Sequence, residues 1–299
     1  MSYKRFKKVY LEISNICNLK CSFCPAVERG EQQVAEDTFK ARLLEVSPWA
    51  ERVCLHVMGE PLAHPLLPRF IEIAGEQKVD LEITTNGTLL SVPVQASLLH
   101  PTVKQVNFSL QSFTDNFPTA NPLVYLNKIF GFIDQAFIER PDLYINLRLW
   151  NIGDHKAGQD TEFFLKQIEN KFDVKINRSV DVSFKKSKNV KLRLYIHFDS
   201  RFVWPDLKHN KISDAGSCYG TRSQVAILAD GVVVPCCLDK EAAINLGVMG
   251  QTSFADIVDG AKATRIRQGF EQGRMLEDLC QRCDYAQRFK KKAQTVSAL

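Results

Sequence analysis

Period-two alternation is the strongest pattern in this chain. Val106, Phe108 and Leu110 alternate with Gln105, Asn107, Ser109 and Gln111; Ile145, Leu147 and Leu149 alternate with Tyr144, Asn146, Arg148 and Trp150. Leu192, Leu194, Ile196 and Phe198 alternate in the same way with Arg193, Tyr195, His197 and Asp199, and Leu81, Ile83 and Thr85 with Glu82, Thr84 and Asn86. Such runs predict strands with one apolar and one polar face. With the shorter apolar runs at 9–13 and 53–57 they give six strands, over 9–13, 53–57, 79–85, 103–111, 144–150 and 192–198. Helical spacing predicts intervening helices around Phe39, Leu43, Leu44 and Val46, with Asp37 as N-cap, and over 66–75, 94–99, 122–138 and 161–172. The stretch 171–191 is less regular.

Strands interleaved with helices imply parallel pairing through crossovers. A doubly wound sheet, covered on both faces, should be apolar on both. Here one face is polar on four strands, which fits an open barrel with helices outside and a wet lumen within. The expected fold class is therefore α/β, a partial (β/α)6 TIM-like barrel, followed by a small C-terminal domain. That tail reads as a hairpin over 225–236, turning at Asp230-Gly231, then a helix over 254–270. The expected division is 1–216 and 217–299. No G-x-G-x-x-G follows the first strand, which removes the usual dinucleotide fold.

Composition narrows the chemistry. The 299 residues, 45% hydrophobic and 24% charged with net charge +5, are those of an ordinary globular protein. No apolar run approaches a membrane span, and the basic start lacks the apolar stretch of a signal peptide. A cytoplasmic setting is expected, in which nine cysteines argue for metal chemistry rather than disulfides. Three of them stand in Cys17-Asn18-Leu19-Lys20-Cys21-Ser22-Phe23-Cys24, just after strand one. Thiolates select iron–sulfur, zinc or copper(I), and a [4Fe–4S] cluster normally takes four. Three close ligands leave one iron free; a zinc knuckle is the rival reading. A second set, Cys218, Cys236, Cys280 and Cys283, falls in the tail, with Cys237 competing with Cys236 as ligand. Cys54, mid-strand, reads as a small buried side chain.

The three-cysteine run, with Phe23 before its last cysteine, resembles the signature of the radical S-adenosylmethionine (SAM) superfamily. Met58-Gly59-Glu60-Pro61 is similar to that family's Gly-Gly-Glu-Pro motif, Thr85-Asn86-Gly87 to its Thr-Asn-Gly, and Ser109-Leu110 to its Ser-Leu-Asp run, with Gln111 in place of the acid. The resemblance implies a SAM-binding [4Fe–4S] cluster on Cys17, Cys21 and Cys24, and SAM contacts from Phe23, Gly59, Glu60, Thr85, Asn86, Ser109, Asn146 and Arg148. It also implies reductive cleavage to a 5′-deoxyadenosyl radical. The tail resembles the SPASM/twitch extension, implying an auxiliary [4Fe–4S] cluster on Cys218, Cys236, Cys280 and Cys283 for electron transfer; a structural zinc with the same thiolates is the alternative. His56, Tyr195, His197 and Asp199 are the candidates for substrate contact or proton removal, against the plainer reading of a hydrogen-bonded wall.

The expected partners are a polar small molecule or peptide as substrate and a reductant such as flavodoxin or ferredoxin, with no membrane. Basic runs at 185–188 and 288–292, near Phe184, Phe289 and the 201–204 segment, leave an RNA-modifying enzyme as an alternative. A non-catalytic iron–sulfur or zinc scaffold or electron carrier is the other.

Overall fold

A computed structural model describes residues 4–153, 158–180 and 186–289. The expected strands appear as β1 (Lys8–Leu11), β2 (Val53–Cys54), β3 (Leu81–Thr85), β4 (Val103–Ser109), β5 (Tyr144–Ile152) and β7 (Leu194–Ser200). They pair in parallel in the order β1-β2-β3-β4-β5-β7. The partial barrel read from the alternation is thus the observed architecture.

The helices cover its outer face. In α1 (Glu36–Val46), Phe39, Leu43 and Val46 are buried; in α2 (Leu67–Glu76), Leu67, Phe70, Ile71, Ile73 and Ala74 are. After α3 (Val92–Leu98) comes α4 (Gln111–Asn116), then α5 (Leu123–Glu139), which buries Leu126, Ile129, Phe130 and Ile133 at helical spacing, and α6 (Gly158–Phe172). These side chains join Val106, Phe108, Ile145, Leu147, Leu149, Ile196 and Phe198 in one core.

Several local expectations fail for physical reasons. Asp37 is not the N-cap of α1: Ala35 holds that place without a side-chain bond, and Asp37 lies in the first turn beside Glu36. Carboxylates there face the positive end of the helix dipole. Strand two stops at Cys54, and residues 55–60 leave the ladder to form the loop of the Gly-Glu-Pro segment. Gln111 opens α4 rather than ending a strand. Leu192, read as a strand residue, sits at φ 48° in the turn joining β6 (Ser187–Lys191) to β7, with which β6 pairs antiparallel. β6 carries only one buried residue, Val190, so it has no alternation to betray it.

The C-terminal hairpin, β8 (Gln224–Ile227) and β9 (Val232–Val234), does more than form a separate unit. β8 pairs in parallel with β1 over four residues, and β10 (Gly247–Val248) pairs with β9, so one ten-stranded sheet runs from β10 to β6. The single helix expected over 254–270 is two, α7 (Phe254–Asp259) and α8 (Ala261–Glu271), broken at Gly260, whose ψ of 158° is extended. A short α9 (Asp278–Gln281) carries Cys280. Among the described residues no helix is long and apolar enough to cross a membrane.

Candidate functional site

The cysteine loop leaves the C-terminal end of β1 and is anchored along its length. Asn15, buried, clasps its two ends: Nδ2 donates to Gly30 O at 2.9 Å, and Oδ1 accepts from Gln32 N at 2.7 Å. Asn18 and Asn86 tie its start to the loop after β3, the Asn86 amide donating to Asn18 Oδ1 at 3.0 Å. α4 holds the middle. Asp115 accepts from the backbone and hydroxyl of Ser22, Asn116 Oδ1 accepts from Lys20 N, and Asn116 Nδ2 donates to Cys21 Sγ at 3.1 Å. Phe23 lies under the Arg201 guanidinium, 5.4 Å from the ring centre.

This brings Cys17, Cys21 and Cys24 together. Burial pushes all three thiols up, Cys24 to about 12, where its two neighbours reinforce burial. Among the described residues no three such side chains stand close enough to clasp a single ion, but three thiols that feel one another suit a larger polycationic centre that takes them as thiolates.

The Gly-Glu-Pro segment packs directly behind this loop. Gly59 has φ 77°, and a Cβ there would lie 2.4 Å from Ser14 O and 2.9 Å from Ile16 O, so only glycine permits the approach. Glu60 is buried, with one oxygen accepting from Leu62 N and the other from Asn86 N at 2.7 Å; burial raises its pKa to about 6. It therefore positions the Asn86 loop. Thr85 Oγ1 accepts from Gly87 N, and Tyr125 Oη donates to Asn86 O.

Glu12 was not singled out in the sequence, although an acid inside an apolar strand is a signal. It is fully buried and accepts from Met58 N, Ala229 N and Arg29 Nη2, the last reaching both oxygens at 3.0 Å. Burial raises its pKa while Arg29 opposes the rise. Arg29 Nε in turn donates to Lys240 O, Lys240 Nζ to Ala26 O, and Glu241 accepts from the backbone of Glu28 and Arg29. The chain just past Cys24 is thus latched to the chain just past Cys236.

The tail thiols line one hollow. Cys218, Cys236, Cys280 and Cys283 face it together with Leu238, Ile244, Phe270, Met275 and Leu279. Burial, and for Cys236 all three other thiols, push these groups up. Four thiols walled largely by apolar side chains, with only Arg222 opposing the rise at Cys218, fit a metal centre that is ligated on every side. Cys237 points elsewhere, its thiol against the Tyr10 hydroxyl. Tyr10 meets His56 edge-on at 5.5 Å. Cys54 is buried in β2, as read.

The polar strand faces meet inside the barrel. Glu82 is buried and accepts from Lys8 Nζ at 2.9 Å and Asn107 Nδ2 at 3.1 Å, with Arg52 at 3.6 Å and Arg148 at 3.8 Å. Asn146 Nδ2 donates to Asn107 Oδ1, and Ser109 lies beside Arg148 in register. Trp150 Nε1 donates to His197 Nδ1 at 2.9 Å, and Arg148 stacks on the Trp150 ring at 4.7 Å. Burial, reinforced by Arg148, lowers His56 to about 3 and His197 to about 4, so both are neutral at pH 7. Among the described residues His56 Nδ1 is buried without a partner. Tyr195 stacks on Tyr144. Asp199 is committed to wall contacts, with Lys186 at 2.6 Å and Arg288 at 2.7 Å. Of the basic runs, Phe184, Lys185 and 290–292 lie outside the described residues. Lys186 and Arg288 are paired with Asp199, and Lys188 Nζ donates to the Asn177 and Ser179 carbonyls, so these cations serve the protein's own groups.

Comparison with known proteins places this geometry. The family model of the radical SAM superfamily matches residues 11–136, and that of the SPASM iron-sulfur cluster-binding domain matches 218–284. A tungsten-containing aldehyde ferredoxin oxidoreductase cofactor-modifying protein of Pyrococcus furiosus is 31% identical over 163 residues, 52% of this chain but only 43% of that relative. The fold resembles BtrN in complex with AdoMet and 2-DOIA, with TM-score 0.61, 18% identity and coverage of 95% and 94% of the two chains. It also resembles anSMEcpe with bound AdoMet and the Cp18Cys peptide, with TM-score 0.61, 12% identity and coverage of 94% and 87%.

Proposed function

This chain belongs to the radical SAM superfamily and carries a SPASM iron–sulfur domain; from that premise we propose that it oxidises a polar small molecule or peptide bound in its barrel. Cys17, Cys21 and Cys24 would hold the SAM-binding [4Fe–4S] cluster, and Cys218, Cys236, Cys280 and Cys283 the auxiliary one. When bound, these groups supply a 5′-deoxyadenosyl radical for hydrogen-atom abstraction and a one-electron acceptor for completing an oxidation.

The chain's own residues do the rest. Asn15, Asp115 and Asn116 fix the cysteine loop, and the Asn116 amide gives Cys21 Sγ a hydrogen bond. Glu60 and Gly59 shape the wall beside it. The lumen offers Asn107, Asn146 and Arg148 to orient a polar substrate. His56, neutral and with an Nδ1 that has no partner among the described residues, offers the lumen a hydrogen-bonding group rather than a base. Cys237 and Tyr10 lie between the four-thiol hollow and this lumen, bridging the two sites with polarisable groups.

The observation that carries this reading is the set of three mutually interacting thiols on the loop after β1, beside a polar lumen. Anaerobic reconstitution should load about eight irons per chain, as two cubanes require, and SAM with a strong reductant should yield 5′-deoxyadenosine. Cys236→Ser should lose about half the iron, whereas Cys237→Ser should keep it all. Zinc in place of iron, or no 5′-deoxyadenosine from fully loaded protein, would overturn the reading.

A further inference from the structure

We infer that Lys240, though carried by the C-terminal segment, tunes the first iron site: its enclosed charge reaches the chain just past Cys24 and makes the centre on Cys17, Cys21 and Cys24 easier to reduce. The inference rests on the function proposed above and adds to it a residue that acts on the first centre from outside the cysteine loop.

Local geometry is the first observation. Asp239 is buried against the four-thiol hollow, where its carboxylate accepts from Ala243 N and Ile244 N at 2.8 Å each. The next side chain, Lys240, leaves that turn toward the cysteine loop instead. Its Nζ donates to Ala26 O at 2.8 Å, two residues past Cys24, and to Glu241 at 2.6 Å. Glu241 is pinned in turn by Glu28 N and Arg29 N, at 2.9 and 3.1 Å. Cys24 feels Lys240 but not Glu241, so the cationic end of the pair is the nearer one.

The charged neighbours of the three thiols are the second. Glu60 acts on Cys17 and Asp115 on Cys21, each in the sense that resists further negative charge, whereas Lys240 acts on Cys24 in the opposite sense. Adding an electron makes a thiolate-bound centre more negative, so of these three neighbours Lys240 is the one that favours reduction. Its side chain is only 9% exposed, and solvent screens such a charge little. Nearby cations are engaged elsewhere. Arg29 Nη2 donates to both Glu12 oxygens, and Arg201, 36% exposed, lies 3.7 Å from Asp115. Cys236, four residues before Lys240, is influenced by burial and by neighbouring thiols. The cation belongs to the segment of one site and acts on the other.

The test is a redox titration of full-length, anaerobically reconstituted protein, followed by electron paramagnetic resonance. The first centre is the one whose signal changes when SAM is then added. Lys240→Met should keep its iron yet make that centre about tenfold harder to reduce, a shift of about 59 mV to more negative potential for one electron. Lys240→Arg, which keeps the charge, should stay within about twofold of the native protein. Glu241→Gln retains an acceptor for the 28–29 backbone but loses the opposing charge, so it should shift the potential the other way. Mere loosening of the loop would move both variants alike. An unmoved first centre in Lys240→Met, shifts of the same sign in the two variants, or a shift confined to the auxiliary centre would overturn the proposal. Should Lys240→Met fail to hold iron, the sign of the Glu241→Gln shift decides. Zinc in the native protein, or no 5′-deoxyadenosine from it, would remove the parent reading; an unmoved potential with that reading intact removes the role of Lys240 alone.

Discussion

Removing the Glu12 carboxylate should loosen both cysteine-bearing regions at once. Glu12→Ala deletes the acceptor of Met58 N, Ala229 N and Arg29 Nη2 together. It also leaves the Arg29 guanidinium, 11% exposed, without its carboxylate. Breaking a buried ion pair from one side costs about 3–5 kcal/mol, because the remaining charge stays desolvated. Unfolding entropy near ~2.1 cal/mol/K per residue gives a chain of this size roughly 0.6 kcal/mol/K, so Tm should fall by about 5–8 °C. Circular-dichroism melts of metal-free protein measure this, and iron analysis of reconstituted protein should show losses at both sites. Arg29→Met, made in the Glu12→Ala background, should restore part of the stability, since it removes the orphaned charge, although the same change in the native chain destabilises. A Glu12→Ala protein melting within about 1 °C of the native one, or additive effects in the double variant, would refute the latch.

Three further outcomes are expected. Gly59→Ala must move backbone, because its Cβ would lie 2.4 Å from Ser14 O and φ is 77°; it should cost at least about 1–2 kcal/mol and lower iron at the first site, and native melting with full iron would contradict it. Asn116→Leu removes the N–H···S contact to Cys21 and should lower the reduction potential of the first centre, since hydrogen bonds to sulfur stabilise the more negative state; redox titration followed by electron paramagnetic resonance reads this, and an unmoved potential would deny the contact a role. His197 is held near 4 when folded, against 6.5 in the unfolded chain. Its contribution is intact above about 6.5 and lost as pH falls toward 4, by at most about 3 kcal/mol before solvent screening. His197→Gln, which can still accept from Trp150, should flatten that loss in pH-dependent melts; parallel curves would count against the buried neutral imidazole.

The barrel was legible because its strands are long enough to alternate and its lumen is polar enough to make the alternation visible. β6 and α4 were hidden for opposite reasons. β6 is an edge strand with a single buried residue; α4 is six residues long and follows a strand whose alternation runs on into Gln111. The thiols could be found by spacing, but what holds them could not. Asp115 and Asn116 reach the cysteine loop from 93 to 96 residues away, and nothing in Thr-Asp-Asn announces a cysteine partner. The adjacent Cys236 and Cys237 needed the backbone of the returning strand, which turns one toward the hollow and the other toward Tyr10.

The pairing of β1 with β8 changes how the two thiol sites relate. β1 delivers Cys17 at its C-terminal end, and β8 opens the hairpin that delivers Cys236. Four residues of parallel register lock these strands side by side, and Glu12, one residue past β1, accepts from Ala229, two residues past β8. A hinge between the sites would have to break strand hydrogen bonds and a buried ion pair together, both of which lie in the interior. Substrate must therefore enter without the sites separating. The 201–213 strap is tied to both sites as well: Arg201 pairs with Asp115 near Cys21 and Lys208 with Glu28, while Ile212 N and Ser213 N donate to Gln281 O and Arg282 Nε donates to His209 O beside Cys280 and Cys283.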